Sequence, residues 1–201
     1  MLSSPPNLLT VSRVLLVPVL VALFYVEGDW ARWFACLVFV VAATTDYLDG
    51  YMARAWAMQS PFGRWLDPVA DKLLVGATVV MLVGFDRAPL LPALVIVLRE
   101  IMVSGLREYM AEVRAGLPVS RLAKWKTAIQ MTALGFLIVG DAGFAFLPVR
   151  LIGEILLWIA VTLTLVTGYA YFRAAFGALL SGRPRRARPV PKVGKQATLP
   201  G

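Results

Sequence analysis

Residues 33–84 read "WFACLVFVVAATTDYLDGYMARAWAMQSPFGRWLDPVADKLLVGATVVMLVG". The stretch is oily at both ends and carries Asp46, Asp49, Asp67 and Asp71 in its middle. About 20 apolar helical residues cross a hydrocarbon layer of ~30 Å. A carboxylate is expensive in such a layer and marks a functional position by default. The stretch therefore reads as two spans, 33–55 and 62–84, joined by a hairpin around Met58 to Ser60. Ser60 is the expected helix cap and Pro61 the first-turn residue.

Outward from this pair, segments 8–26, 89–111, 124–140 and 148–176 are also apolar enough to span or nearly so. Of the 201 residues, 59% are hydrophobic, above the usual share for a soluble domain. The expected fold is all-α: a polytopic membrane protein with six transmembrane helices over residues 1–181. Residues 1–26 lack a cationic start and a small-residue cleavage site, which argues against a cleaved signal peptide. The tail 182–201, "GRPRRARPVPKVGKQATLPG", has almost nothing to pack and is expected to be disordered. It suits an inner topogenic tail or attraction to anionic headgroups.

The net charge is +8. With Met1 inside, the outer loops 27–32, 85–88 and 141–150 hold only Arg32, Arg87 and Arg150, while the inner segments hold Arg54, Arg64, Arg114, Arg121, Lys124, Lys126, Arg173 and six more in the tail. That asymmetry puts both termini in the cytoplasm of a bacterial inner membrane. Membrane lipids are expected partners and nucleic acid is not. The single cysteine, Cys36, excludes an intrachain disulfide. The absence of histidine removes the commonest general base and transition-metal ligand. Chemistry must use carboxylates, Arg, Lys and hydroxyls.

On a helix advancing ~100° per residue, Asp49 falls near 300° from Asp46, Gly50 near 40°, Ala53 near 340° and Arg54 near 80°. Two carboxylates, two small residues and an arginine share one stripe. Gly63, Asp67 and Asp71 step by four and form another. If the stripes face each other, Asp49 meets the level of Asp67 and Asp46 that of Asp71. Four such anions are tolerable only with cations among them. Carboxylate-only ligation suits hard ions, Mg²⁺ or Mn²⁺, and two carboxylate pairs suggest two ions. Taken singly, the small residues also suit close helix packing, and the aspartates suit interfacial pairing with Arg54, Arg64 and Lys72.

The pattern Asp46-x-x-Asp49-Gly50-x-x-Ala53-Arg54, eight residues, Gly63-x-x-x-Asp67-x-x-x-Asp71 resembles the CDP-alcohol phosphotransferase signature at every fixed position. The resemblance implies a six-helix homodimer with its active site at the cytoplasmic face. It implies Asp46, Asp49, Asp67 and Asp71 as ligands of two divalent ions on the donor's diphosphate, with Asp71 also the base for the attacking alcohol. Gly50, Ala53, Arg54 and Gly63 would accommodate the donor.

Three further stretches, "NLLTVSRVLLVPVL" at 7–20, "LREIMVSGLREYMAE" at 98–112 and "RLAKWKTAIQM" at 121–131, are similar to those of family members that act on a phosphorylated acceptor. They imply CDP-diacylglycerol as donor, sn-glycerol 3-phosphate as acceptor and CMP as leaving group. Arg107, Lys124 and Lys126 form the expected cationic pocket for the acceptor phosphate. Asn7, Thr10 and Arg13 step by three along one face toward the nucleotide or the acceptor, or else serve as cap and interfacial anchors. Arg99 and Glu100, deeper in the span, read as an ion pair or interhelical tie. Inositol phosphate, serine and phosphatidylglycerol remain alternative acceptors. A divalent-cation transporter is a rival of another class, though the chain lacks paired broken spans. A prenyltransferase shares the DxxD element but not the Gly-x-x-Ala-Arg continuation.

Overall fold

The structure is a computed structural model that describes residues 5–55, 61–112, 121–144 and 146–180. Six α-helices follow in order: α1 Pro5–Phe24, α2 Asp29–Ala55, α3 Pro61–Gly84, α4 Leu90–Glu112, α5 Arg121–Val139 and α6 Val149–Leu180. A short 3₁₀ turn, Gly140–Ala142, follows α5, and no strand occurs among the described residues. The expected hairpin turn, its Ser60 cap and the tail from residue 181 lie outside the described residues. Pro61 opens α3, where a missing N–H costs nothing. Helix α3 continues through Pro68.

Helix α1 packs on both α2 and α3, α5 runs along α6 and also meets α2, and α4 packs on α6 and α3. The helices α2 and α3 also touch each other. The buried seam of α1 is Thr10, Arg13, Val17, Leu20 and Phe24, spaced alternately three and four. Such spacing keeps one face turned to a neighbouring helix. It meets Phe39, Leu74 and Leu82 in a core completed by Ile96, Leu134, Leu137 and Leu157. Helices α5 and α6 approach closely at Gly153, where an added Cβ would sit 2.9 Å from Leu137 Cγ and 3.2 Å from Leu137 N. Only a glycine permits that approach.

The outer surface is apolar on several helices: Leu15, Leu37, Val80, Leu94, Ile155 and Leu165 are all exposed. By length and hydropathy the described stretch Val149–Arg173 is long and apolar enough to cross a membrane. Hydroxyls within the bundle bond to carbonyls of their own helix, as Thr78 Oγ1 donates to Leu74 O at 2.7 Å and Thr167 Oγ1 to Leu163 O at 2.8 Å. This satisfies a polar atom where water is excluded.

The end of the bundle remote from the aspartates is tied by the loop arginines. Arg150 donates from Nη2 to Asp86 O at 3.0 Å and from Nε to Glu154 Oε1 at 3.2 Å, and its Nη1 lies 3.6 Å from Asp141 Oδ2. Asp86 has φ 54°, so its carbonyl is presented from a left-handed turn. Arg87 lies over the Phe24 and Phe85 rings, at 5.1 and 5.6 Å. Burial, and then the charge of Arg32, pull the Arg87 guanidinium below its usual pKa, with Asp141 opposing.

Candidate active site

Each of the expected site residues falls on one of five helices. Asp46, Asp49, Gly50, Ala53 and Arg54 occupy the C-terminal end of α2, and their side chains lie outside the described residues. Gly63, Asp67 and Asp71 lie on the first half of α3. Gly63 is buried and Asp67 half-buried, while the Asp71 side chain is 55% exposed. A carboxylate in that position can exchange with bulk water or a ligand at low desolvation cost.

From α1, the Thr10 hydroxyl donates to Asp67 Oδ1 at 2.7 Å. One turn along, Arg13 Nη1 stands 3.9 Å from Asp71 Oδ1. Thr10 is 1% exposed and Arg13 not at all. The sequence leaves these two residues either substrate contact or a role as cap and interfacial anchor, and the structure gives them the α3 aspartates as partners. The signal that could have found this pairing is the α1 seam itself, where a threonine and an arginine occupy positions that Val17 and Leu20 continue as core. Asn7 lies in the first turns of α1, with its side chain outside the described residues.

A second polar cluster joins α4, α5 and α6. Arg99 Nη1 donates to Glu100 Oε1 at 3.0 Å, and Lys126 Nζ donates to the same oxygen. Arg99 Nη2 also reaches Thr167 Oγ1 on α6 at 3.4 Å, and that hydroxyl donates to Leu163 O at 2.8 Å. The expected Arg99–Glu100 pair is present, and Lys126 makes it an interhelical tie. Lys126 is 3% exposed, so its charge is held by Glu100 rather than by solvent. The cluster has two cations and one anion and keeps a net positive character. Arg107 on α4 and Lys124 on α5 belong to the same two helices, with side chains outside the described residues.

The donor set fits a hard divalent cation. The chain offers no histidine, and α3 presents two carboxylates four residues apart on one face. Among the described residues, which leave out the side chains of Asp46 and Asp49, no group of three or more Asp, Glu, His or Cys side chains gathers.

An all-helical bundle with paired aspartates on two adjoining helices defines a class: the chain belongs to the CDP-alcohol phosphatidyltransferase family, whose model matches residues 4–166. Individual relatives narrow the comparison. A Rickettsia typhi protein named CDP-diacylglycerol–glycerol-3-phosphate 3-phosphatidyltransferase is 48% identical over 169 residues, covering 84% of this chain and 95% of that one. Proteins of the same name from Pseudomonas fluorescens and Haemophilus influenzae are 48% and 40% identical. The matches cover 85% and 87% of this chain, and 89% and 95% of those proteins.

Proposed function

We propose that the chain transfers the phosphatidyl group of CDP-diacylglycerol to sn-glycerol 3-phosphate, giving phosphatidylglycerophosphate and CMP. The observation that carries this reading is the family motif on α2 and α3, in a chain matched along most of its length by relatives of that one name. In this reading Asp46, Asp49, Asp67 and Asp71 hold two divalent cations, Mg²⁺ or Mn²⁺. When bound, such ions offset the charge of a diphosphate and of departing CMP. Gly50, Ala53 and Gly63 leave room for the donor against the backbone, and Arg54 faces its phosphates. Arg107, Lys124 and Lys126 receive the acceptor phosphate, Lys126 being also one of the two cations that make its cluster with Arg99 and Glu100 net positive. Asp71, the more exposed of the two α3 carboxylates, takes the proton from the primary hydroxyl of glycerol 3-phosphate. That oxygen bonds to the phosphatidyl phosphorus in line as the bond to CMP breaks.

The reading places the six helices across a bacterial inner membrane, with both termini and the site on the cytoplasmic side and two copies in a homodimer. The exposed apolar surface, the helix lengths and the inside excess of Arg and Lys support the membrane placement, and the homodimer rests on the family resemblance alone. A site at that boundary reaches a donor whose tails stay in lipid and an acceptor that stays in water.

The test is CMP release from CDP-diacylglycerol by the purified protein with each candidate alcohol. Glycerol 3-phosphate is expected to win over serine, inositol phosphate and phosphatidylglycerol by at least about 100-fold in kcat/KM. Against serine, which has no phosphate, such a ratio corresponds to the ~3 kcal/mol carried by a charge-assisted phosphate contact, and against the two phosphate-bearing rivals it must come from the fit of the smaller glycerol moiety. Preference for inositol phosphate would overturn the acceptor and leave the class standing.

A further inference from the structure

The buried seam of α1 is apolar along Val17, Leu20 and Phe24 and then turns polar at Thr10 and Arg13 without leaving the core. Burying a hydroxyl and a guanidinium costs free energy that a valine and a leucine would not. The compensation visible in the structure is on α3: Thr10 bonds Asp67 at 2.7 Å and Arg13 stands 3.9 Å from Asp71. Residues three apart on one helix thus meet residues four apart on its neighbour, rung against rung. We propose that Thr10 and Arg13 are positioning residues, which hold the two α3 carboxylates in the orientation that receives a divalent cation. The proposal rests on the metal reading above.

A free aspartate must lose rotamer freedom when it takes up an ion, and a carboxylate already held by a buried partner loses less. The Thr10 bond uses one lone pair of Oδ1, and an aspartate keeps acceptor capacity on its second oxygen. A threonine hydroxyl has a single proton to donate. The one on Thr10 is committed to Asp67, so Thr10 acts through the aspartate and not by donating to a phosphate oxygen of either substrate. Arg13 is longer and holds a fixed positive charge one turn deeper. It anchors Asp71 from the side that α1 covers and leaves that carboxylate 55% exposed on the other. Outer partners of this kind change metal affinity by about 10–100-fold when removed.

The experiment needs neither substrate. Full-length protein in detergent is titrated with Mn²⁺, and free Mn²⁺ is followed by electron paramagnetic resonance. Thr10→Val, which keeps the shape and removes the donor, is expected to weaken Mn²⁺ binding about 10-fold. Thr10→Ser, which restores the donor, should bind within about twofold of wild type, and a thermal scan in chelator separates any loss of folding. If Thr10→Val does not fold, Thr10→Ala carries the same comparison. Equal Mn²⁺ affinity for a folded donor-less variant and wild type would overturn the proposal alone. Wild-type protein that takes up no Mn²⁺ would overturn the metal reading, and the proposal with it.

Discussion

Asp71→Asn is expected to lower CMP release at least about 10³-fold, the contribution of a well-placed general base. The substitution keeps the shape of the side chain and removes both its basicity and its charge. Because the Asp71 side chain is 55% exposed, neither oxygen has to be desolvated to keep the fold. The exposed position and the 3.9 Å separation from Arg13 also make the contact looser than a fully buried pair, whose rupture costs ~3–5 kcal/mol. The variant should therefore still insert and purify, with a thermal transition lowered because buried Arg13 loses its anionic partner, but by less than rupture of a fully buried pair would cost. The check is CMP release at saturating CDP-diacylglycerol and glycerol 3-phosphate, beside a thermal scan. Activity within tenfold of wild type would remove Asp71 from the role of base. Lost activity accompanied by lost folding would assign it a structural role.

The second large effect falls on the acceptor. Lys126→Ala is expected to raise the KM for glycerol 3-phosphate about 30-fold or more, and to leave the KM for CDP-diacylglycerol within about twofold. Truncating one partner of a buried charge contact costs ~2 kcal/mol or more, which is a factor of about 30. The Lys126–Glu100 tie sharpens the test. A lysine that only braced α5 against α4 would, on removal, leave Glu100 with Arg99 as its described partner and lower stability. Both KM values would then stay put. A lysine that also meets the acceptor phosphate shifts one KM and not the other. Steady-state kinetics with each substrate varied, together with the thermal transition, separates the two.

Much of the bundle was legible in the sequence because length and apolarity are local quantities. The apolar runs at 8–26, 62–84 and 89–111 became Pro5–Phe24, Pro61–Gly84 and Leu90–Glu112, within a few residues at each end. The misses at the ends have one cause. Helix α2 begins at Asp29 rather than at residue 33, and α6 runs on through Gly177 and Ala178 to Leu179 and Leu180, because polar and small residues at the edge of an apolar run do not stop a helix. An acidic first turn such as Asp29 is itself favourable at an N-terminus.

The site was legible in part. Four aspartates at helical spacing announce charged chemistry wherever the helices end up. What hydropathy does not contain is rotation: which face of α1 turns toward α3, and which lysine finds which glutamate. The Thr10–Asp67 bond joins residues 57 apart in the chain, and the Arg99–Thr167 bond residues 68 apart. Both depend on how whole helices pack, which no window of sequence encodes. The same holds for the clasp of Arg150 on Asp86 and Asp141. The charge count assigned that arginine to an outer loop and could not supply its partners.

The most direct test of the whole account is activity after the divalent cations are withdrawn. Purified protein assayed for CMP release in excess chelator should fall to background, and adding back Mn²⁺ or Mg²⁺ should restore the rate. Undiminished phosphatidyl transfer in chelator would contradict the account, because the aspartates of α2 and α3 would then have no ion to hold.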